Sequence, residues 1–267
     1  MGKTQQIIER RVDELRQNMF VIHQLVIRDK KRSLSSTFMG ELWEVINPLI
    51  NMVVMVLVFS EMFGKGVAGA FPLYVLTGTT IYGLFNAGTS TCLNALTENK
   101  SFLIKTQLKK NMYVLEKILV ALRNFLFSLL IYAFVIALYR IPPSVTWLLF
   151  IPDILLMLVM MLGIGKILAI INVTFADITY FYKIFTLFLM YGSAIFYRVD
   201  RLSPTMQKCM TILNPLYTVI SIARECVMER MYPNWKLWAI ASAYAGGCYV
   251  VGTIFFNRKI EDIVAKM

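Results

Sequence analysis

The chain has 267 residues, of which 58% are hydrophobic and only 16% charged, yet Lys and Arg outnumber Asp and Glu by 27 to 16. Ordinary globular chains are about 45–50% apolar and about 25% charged. A chain this apolar with a net charge of +11 reads as a membrane protein with its charge gathered at the water-facing ends, which excludes a secreted disulfide scaffold, a disordered chain and a plain cytosolic enzyme.

Residues 1–40 form the first unit. Ile8, Val12, Leu15, Met19, Ile22 and Val26 recur at helical spacing, with Arg10, Arg11, Asp13, Glu14, Arg16 and Gln17 on the remaining surface. A basic amphipathic helix beside a membrane span is expected to lie in the cytoplasmic headgroup layer. A short coiled-coil seam is the alternative reading. The charged start lacks the apolar core of a cleavable signal peptide, and Gln6 breaks the myristoylation pattern.

Residues 41–267 form the second unit. A spanning helix needs about 20 mostly apolar residues, and six stretches qualify: Leu42–Phe63, Phe71–Leu93, Val114–Tyr139, Trp147–Ile171, Thr179–Tyr197 and Leu237–Phe256. The expected fold is therefore an all-α integral membrane protein, with six transmembrane helices preceded by the interfacial helix. Lys and Arg crowd the segment before the first span, the second connection (Lys100, Lys105, Lys109, Lys110) and the tail (Arg258, Lys259, Lys266), which places both termini in the cytoplasm. The fifth connection dissents, because it carries Arg198, Arg201, Lys208, Arg224 and Arg230 on the opposite side. Its apolar stretch Met210–Ala223 is too short to span and predicts a re-entrant or interfacial segment.

Two words repeat. Ile46-Asn47-Pro48-Leu49 opens the first span, and Leu213-Asn214-Pro215-Leu216 recurs in the fifth connection. Asn caps helices and Pro is at home in the first helical position. Each word marks a break and restart, whether as an unrelated cap or as a bend between an in-plane and a crossing helix.

Phe71, Tyr74, Gly78, Tyr82, Phe85 and Thr89 share one face of the second span. Phe181, Phe185, Phe188 and Phe196, with Tyr180 and Tyr191 beside them, mark the fifth. Aromatic faces running the depth of the membrane suit sugar rings, which stack on their apolar sides and hydrogen-bond to tyrosine hydroxyls; helix packing is the competing use. Arg123, Lys166 and Lys183 fall inside the third, fourth and fifth spans, where burial of charge is costly. Lys166 meets a lipid-linked pyrophosphate, snorkels, or pairs with Asp153, Asp177 or Glu116. In the second connection, Glu98, Lys100, Ser101, Phe102 and Lys105 mix charge with an apolar pair, as a short docking helix would.

Other chemistry is thinly supplied. His23 is the single histidine, and Cys92, Cys209, Cys226 and Cys248 are scattered, which points to free thiols, with a Cys209–Cys226 bridge as the alternative. No metal site and no catalytic residues are expected. Gly163-x-Gly165-Lys166 lacks the following Ser or Thr of a phosphate-binding loop, so if the chain pumps, ATP and Mg would have to be bound by a partner.

The run Arg28-Asp29-x-Lys31 … Ser36 … Gly40-x-Leu42-Trp43-x-x-Ile46-Asn47-Pro48-Leu49, with the later Asn214-Pro215-Leu216 and Arg224, resembles the ABC-2 type permeases, especially those exporting O-antigen, capsule or teichoic-acid glycans. It departs from them at Leu34, where an aromatic is usual, and at Lys109, where Pro is. The resemblance implies a permease subunit, itself no enzyme, working as a homodimer with two copies of a separate ABC ATPase in the bacterial inner membrane. It implies docking of that ATPase at Glu98–Lys105 beside the interfacial helix. The implied cargo is a glycan, on a lipid carrier, passing through a channel at the dimer interface. Export of a small drug or lipid is the alternative, and a membrane-embedded lipid-phosphate enzyme the more distant one. Nucleic acid is not an expected partner.

Overall fold

The computed structural model describes residues 19–29, 46, 49–50, 53–54, 71–105, 109–199 and 202–266, and every regular element among them is helical. Apart from helical positions 46, 49, 50, 53 and 54, the predicted first span lies outside the described residues, as do Lys31, Gly40, Trp43, Asn47 and Pro48. Helix α1 covers 19–29, and its buried position is Leu25, one residue before Val26 of the predicted apolar face. Then follow α2 (Phe71–Leu93), the short α3 (Lys100–Lys105), α4 (Asn111–Leu138), a 3-10 turn (Val145–Leu149) running into α5 (Phe150–Thr174), α6 (Ile178–Gly192), α7 (Pro204–Leu213), α8 (Pro215–Val227) and α9 (Trp235–Lys266).

Among the described residues, three helices are long and apolar enough to cross a membrane by themselves: Asn111–Leu138, Val145–Thr174 and Trp235–Ala265. Helix α2 has the predicted limits and carries no charge, but its Thr, Ser, Gly and Asn residues dilute its hydropathy, and more than half of its 23 residues are buried. The predicted fifth span is shorter than expected. Helix α6 stops at Gly192 after 15 residues, roughly 22 Å at 1.5 Å per residue. The chain then turns through Ala194, which holds a left-handed φ of 50°. Helix α9 runs past the predicted Phe256 for another ten residues. Ile260 and Ile263 keep one face of this extension buried while Arg258, Lys259, Glu261 and Asp262 face outward.

Helix α5 is the centre of the bundle and packs most extensively on α9. The contact is backbone to backbone. A Cβ on Gly163 would lie 2.2 Å from the Cys248 main chain, and one on Gly252 would lie 2.1 Å from the Gly163 oxygen. Small residues at such crossings let membrane helices gain dispersion contacts that larger side chains would prevent. Three residues on, Lys166 is buried, donates to Thr253 Oγ1 at 2.8 Å and sits 4.4 Å from the centre of the Tyr249 ring. This corrects the expected carboxylate pairing. Asp153 lies 13 residues back on the same helix, roughly 20 Å away; Asp177 is exposed beyond its far end, and Glu116 belongs to another cluster. Lys183 is exposed near the Tyr180 ring, and Arg123 donates to Asn124 at 3.2 Å.

Helix directions follow from contacts at the two ends. Asn172, near the end of α5, donates to Leu93 O at 2.9 Å and to Asn94 Oδ1 at 3.2 Å, and accepts from Thr179 of α6 at 3.0 Å. At the opposite end Thr146, just before α5, donates to Cys226 O of α8 at 2.8 Å. Helices α2, α4, α5 and α6 therefore alternate in direction. One end carries α1 and α3, the other α7 and α8. All four cysteines are free, Cys209 exposed and Cys226 buried.

Candidate functional site

At the α3 end, Leu93 gives way to a turn over 94–99 that leads into α3. Asn99 shapes this turn. Its backbone oxygen receives the amides of Phe102 and Leu103 at 3.0 and 2.9 Å, and its side chain donates to Ala95 O at 2.9 Å. Leu103 is the buried anchor of α3, whereas Lys100, Ser101, Phe102 and Ile104 face outward. Lys105 is its last residue.

Beneath this exposed face three elements meet in a charged knot. Arg28 of α1 donates to Asp29 Oδ1 at 2.9 Å and to Asn99 Oδ1 at 2.8 Å, with its guanidinium 5.2 Å from the centre of the Phe102 ring. Lys117 of α4 donates to Glu98 Oε2 at 2.7 Å and to Asp29 Oδ2. Its side chain is 7% exposed, that of Asp29 14% and that of Glu98 38%. Glu116 is fully buried beside Asp29. Burial pushes the Asp29 carboxyl up, but the neighbouring Glu116 carboxyl and the bonded Lys117 and Arg28 cations outweigh it and hold the group down at about 2. Arg28, Asp29, Glu98 and Phe102 were expected as separate interfacial and docking residues; they are one cluster. Asn99 of the docking stretch joins it, Glu116 lies here rather than beside Lys166, and Lys117 completes it without having been singled out. The signal available was a Glu-Lys pair in the first two turns of a mostly apolar span.

The opposite end is built around Asn214 and Arg224. As the repeated word predicts, Asn214 ends α7 and caps α8, with Pro215 in the first helical position. Its Oδ1 accepts from the amides of Leu216 and Tyr217 at 3.0 and 3.1 Å, while its Nδ2 donates to Gly192 O at 2.8 Å and Ser193 Oγ at 3.0 Å. Three turns later, Arg224 is 5% exposed. It donates to Ala194 O and Tyr74 O, both at 3.1 Å, and its guanidinium lies 3.4 Å from the centre of the Tyr74 ring. A Cβ on Gly78 would lie 2.9 Å from Arg224 Nη2, so that glycine makes room for the guanidinium.

The aromatic face of α2 is thereby placed. Tyr74 OH donates to Tyr197 O at 3.0 Å, Tyr82 OH to Thr186 O at 3.1 Å, and Thr89 Oγ1 receives Tyr182 OH at 2.6 Å. Phe71, Gly78, Phe85 and Thr89 are buried. Within the subunit this face forms a seam against α6 and Arg224, bringing together residues assigned separately to a channel and to a re-entrant segment. Helix α6 buries only Tyr182 and Thr186. Its other side presents Tyr180, Phe181, Phe185, Phe188 and Tyr191, each more than half exposed. Among the described residues no group of His, Cys, Asp and Glu could hold a metal ion.

Long apolar helices, two of them crossing in close contact at glycines, define a helical membrane protein. Residues 21–228 match the ABC-2 type transporter family, and the chain belongs to it as a membrane permease. It is 24% identical over 254 residues to the O-antigen export system permease protein RfbA of Myxococcus xanthus, covering 94% of this chain and 97% of that protein. It is 23% identical over 232 residues to the protein of the same name from Klebsiella pneumoniae, covering 86% and 88%.

Proposed function

We propose that this chain is the membrane subunit of an ATP-driven exporter that moves a polysaccharide, carried on a lipid, across the bacterial inner membrane. Two copies enclose the channel, and two copies of a separate ABC ATPase supply hydrolysis. The near full-length likeness to O-antigen export permeases carries the substrate class. In this reading α2, α6 and the stretch 42–63 complete six spans, both termini are cytoplasmic, and α7–α8 dips into the outer leaflet as a re-entrant hairpin. The ATPase docks on Lys100, Ser101, Phe102 and Lys105, a face held from below by the charged knot. The exposed aromatic row of α6, including Tyr180 and Tyr191, lines the conduit, and the α2 seam (Phe71, Tyr74, Gly78, Tyr82, Phe85, Thr89) supports it. The faces of aromatic rings suit the apolar C–H surfaces of sugars without fixing one register, as passage of a long polymer requires.

The test separates docking from cargo. Replacing Phe102 and Ile104 by Asp should abolish ATPase co-purification at normal membrane levels; retained association refutes the docking face. Replacing Tyr180, Phe188 and Tyr191 by Ala should lower surface glycan severalfold with the ATPase still bound. Unchanged surface glycan, with altered sensitivity to small amphiphiles, would favour drug or lipid export instead.

A further inference from the structure

We infer that Lys117 is the positioning residue that passes movement of the docking turn to the membrane bundle. This rests on the reading that α3 receives an ATPase. The ammonium of Lys117 closes a triangle between three elements that are distant in sequence: its own helix α4, the turn through Glu98, and α1 through Asp29. Among the described residues, it is the charged tie between the turn and a long apolar helix. The turn's tie to α5 is the neutral amide pair Asn172–Asn94. The other side-chain contacts of Asn99 stay within the turn or reach α1.

The chemistry suits a tether. A lysine ammonium has three donors on a flexible four-carbon stem, so it follows small shifts of two carboxylates without losing either. It is nearly buried, so salt screens it weakly, and separating it from its partners leaves uncompensated charge in a poorly hydrated place. When the docking turn is pushed, α4 therefore moves with it. Lys117 lies six residues into α4, roughly 9 Å along its axis, so the pull enters the bundle at the helix's base. From α4 the motion reaches α2 through their long contact, where Tyr132 OH meets Thr77 Oγ1 at 2.8 Å.

The experiment uses the full-length subunit, reconstituted with the ATP-binding cassette subunit that co-purifies with it. Lys117→Arg, Lys117→Met and the double variant Asp29→Asn/Lys117→Met are compared with the unaltered chain. The double variant removes the acid that the single Met variant strands, while Glu98 remains partly hydrated. Readouts are ATPase association and the stimulation of hydrolysis on binding the membrane subunit. A third is the nucleotide-driven change in distance between spin labels at Leu126 of α4 and Val250 of α9, both exposed. In the double variant association should persist, while stimulation and label movement fall about tenfold, a usual size for coupling between linked sites. Lys117→Arg should restore both. Unchanged stimulation and movement in the double variant would overturn the inference. So would lost association, because Lys117 would then belong to the docking contact itself. If no ATPase associates with the unaltered chain, the docking reading fails first and the relay falls with it.

Discussion

The two ends of the bundle solve the same problem with opposite chemistry. At the α3 end, the cations Arg28 and Lys117 meet the carboxylates of Asp29 and Glu98, and the cluster keeps partial contact with water. At the α8 end, a single cation, Arg224, meets backbone oxygens and the face of Tyr74. A lysine ammonium shared by two carboxylates follows small shifts of either without letting go. A buried guanidinium held by fixed carbonyls and a ring face cannot move without losing its own bonds in a poorly hydrated place. The comparison assigns adjustable contacts to the end where a moving partner is proposed and a fixed fastening to the other.

The sharpest way to break this contrast is Arg224→Met. It removes the charge-assisted hydrogen bonds to Tyr74 O and Ala194 O, at about 1.5–3 kcal/mol each, read as a large fall in melting temperature or loss of folded protein in detergent. A loss no larger than that of a surface charge would erase the distinction. Gly78→Ala should come next, at about 1–3 kcal/mol. The added methyl meets Arg224 Nη2, which cannot retreat without giving up Tyr74 O. Thermal unfolding of the variant checks this, and the expected loss should shrink in the Arg224→Met background, where the Nη2 contact is gone and only those with Ile195 at 3.1 and 3.2 Å remain.

The smallest effect separates the ends by acid. Asp29 sits at about 2 in the folded subunit against an ordinary 3.8. A depressed carboxyl contributes stability above its unfolded value and loses it as pH falls towards the folded one. Between about pH 4 and pH 2, amide exchange in α1 should therefore rise. Exchange around residues 193–197 should hold, because the Arg224 contacts described there involve carbonyls and a ring rather than an acid. Equal loosening at both ends would contradict the division.

Sequence reading succeeds here where one local rule acts alone. The limits of α2 and the break at Asn214-Pro215 follow from apolar run length and from capping chemistry. It fails where a distant element decides. The apolar run of the fifth span continues to Tyr197, and its one local break signal, Gly192-Ser193, is weak by itself; Asn214 and Arg224 hold the stop there from more than twenty residues away. Lys117 escaped notice because one Glu-Lys pair hardly lowers the hydropathy of a 28-residue helix. Lys166 was expected to seek a carboxylate, since charge attracts charge. Its partners, a hydroxyl and an aromatic face, come from α9, reached only because two glycines let the backbones touch. The aromatic periodicity on α2 was legible, but spacing alone cannot say whether a face meets a neighbouring helix or a cargo.

That glycine contact has a mechanical consequence. With Gly163 and Gly252 in backbone contact and Lys166 bonded across the same crossing, α5 and α9 behave as one beam rather than two rods. The outer turns of α9 from Asn257 to Asp262 extend the beam into an exposed stretch. A reporter attached at Asn257 or Glu261 would then act as a pointer, translating a tilt of the bundle's central helix into a displacement that can be read outside the membrane.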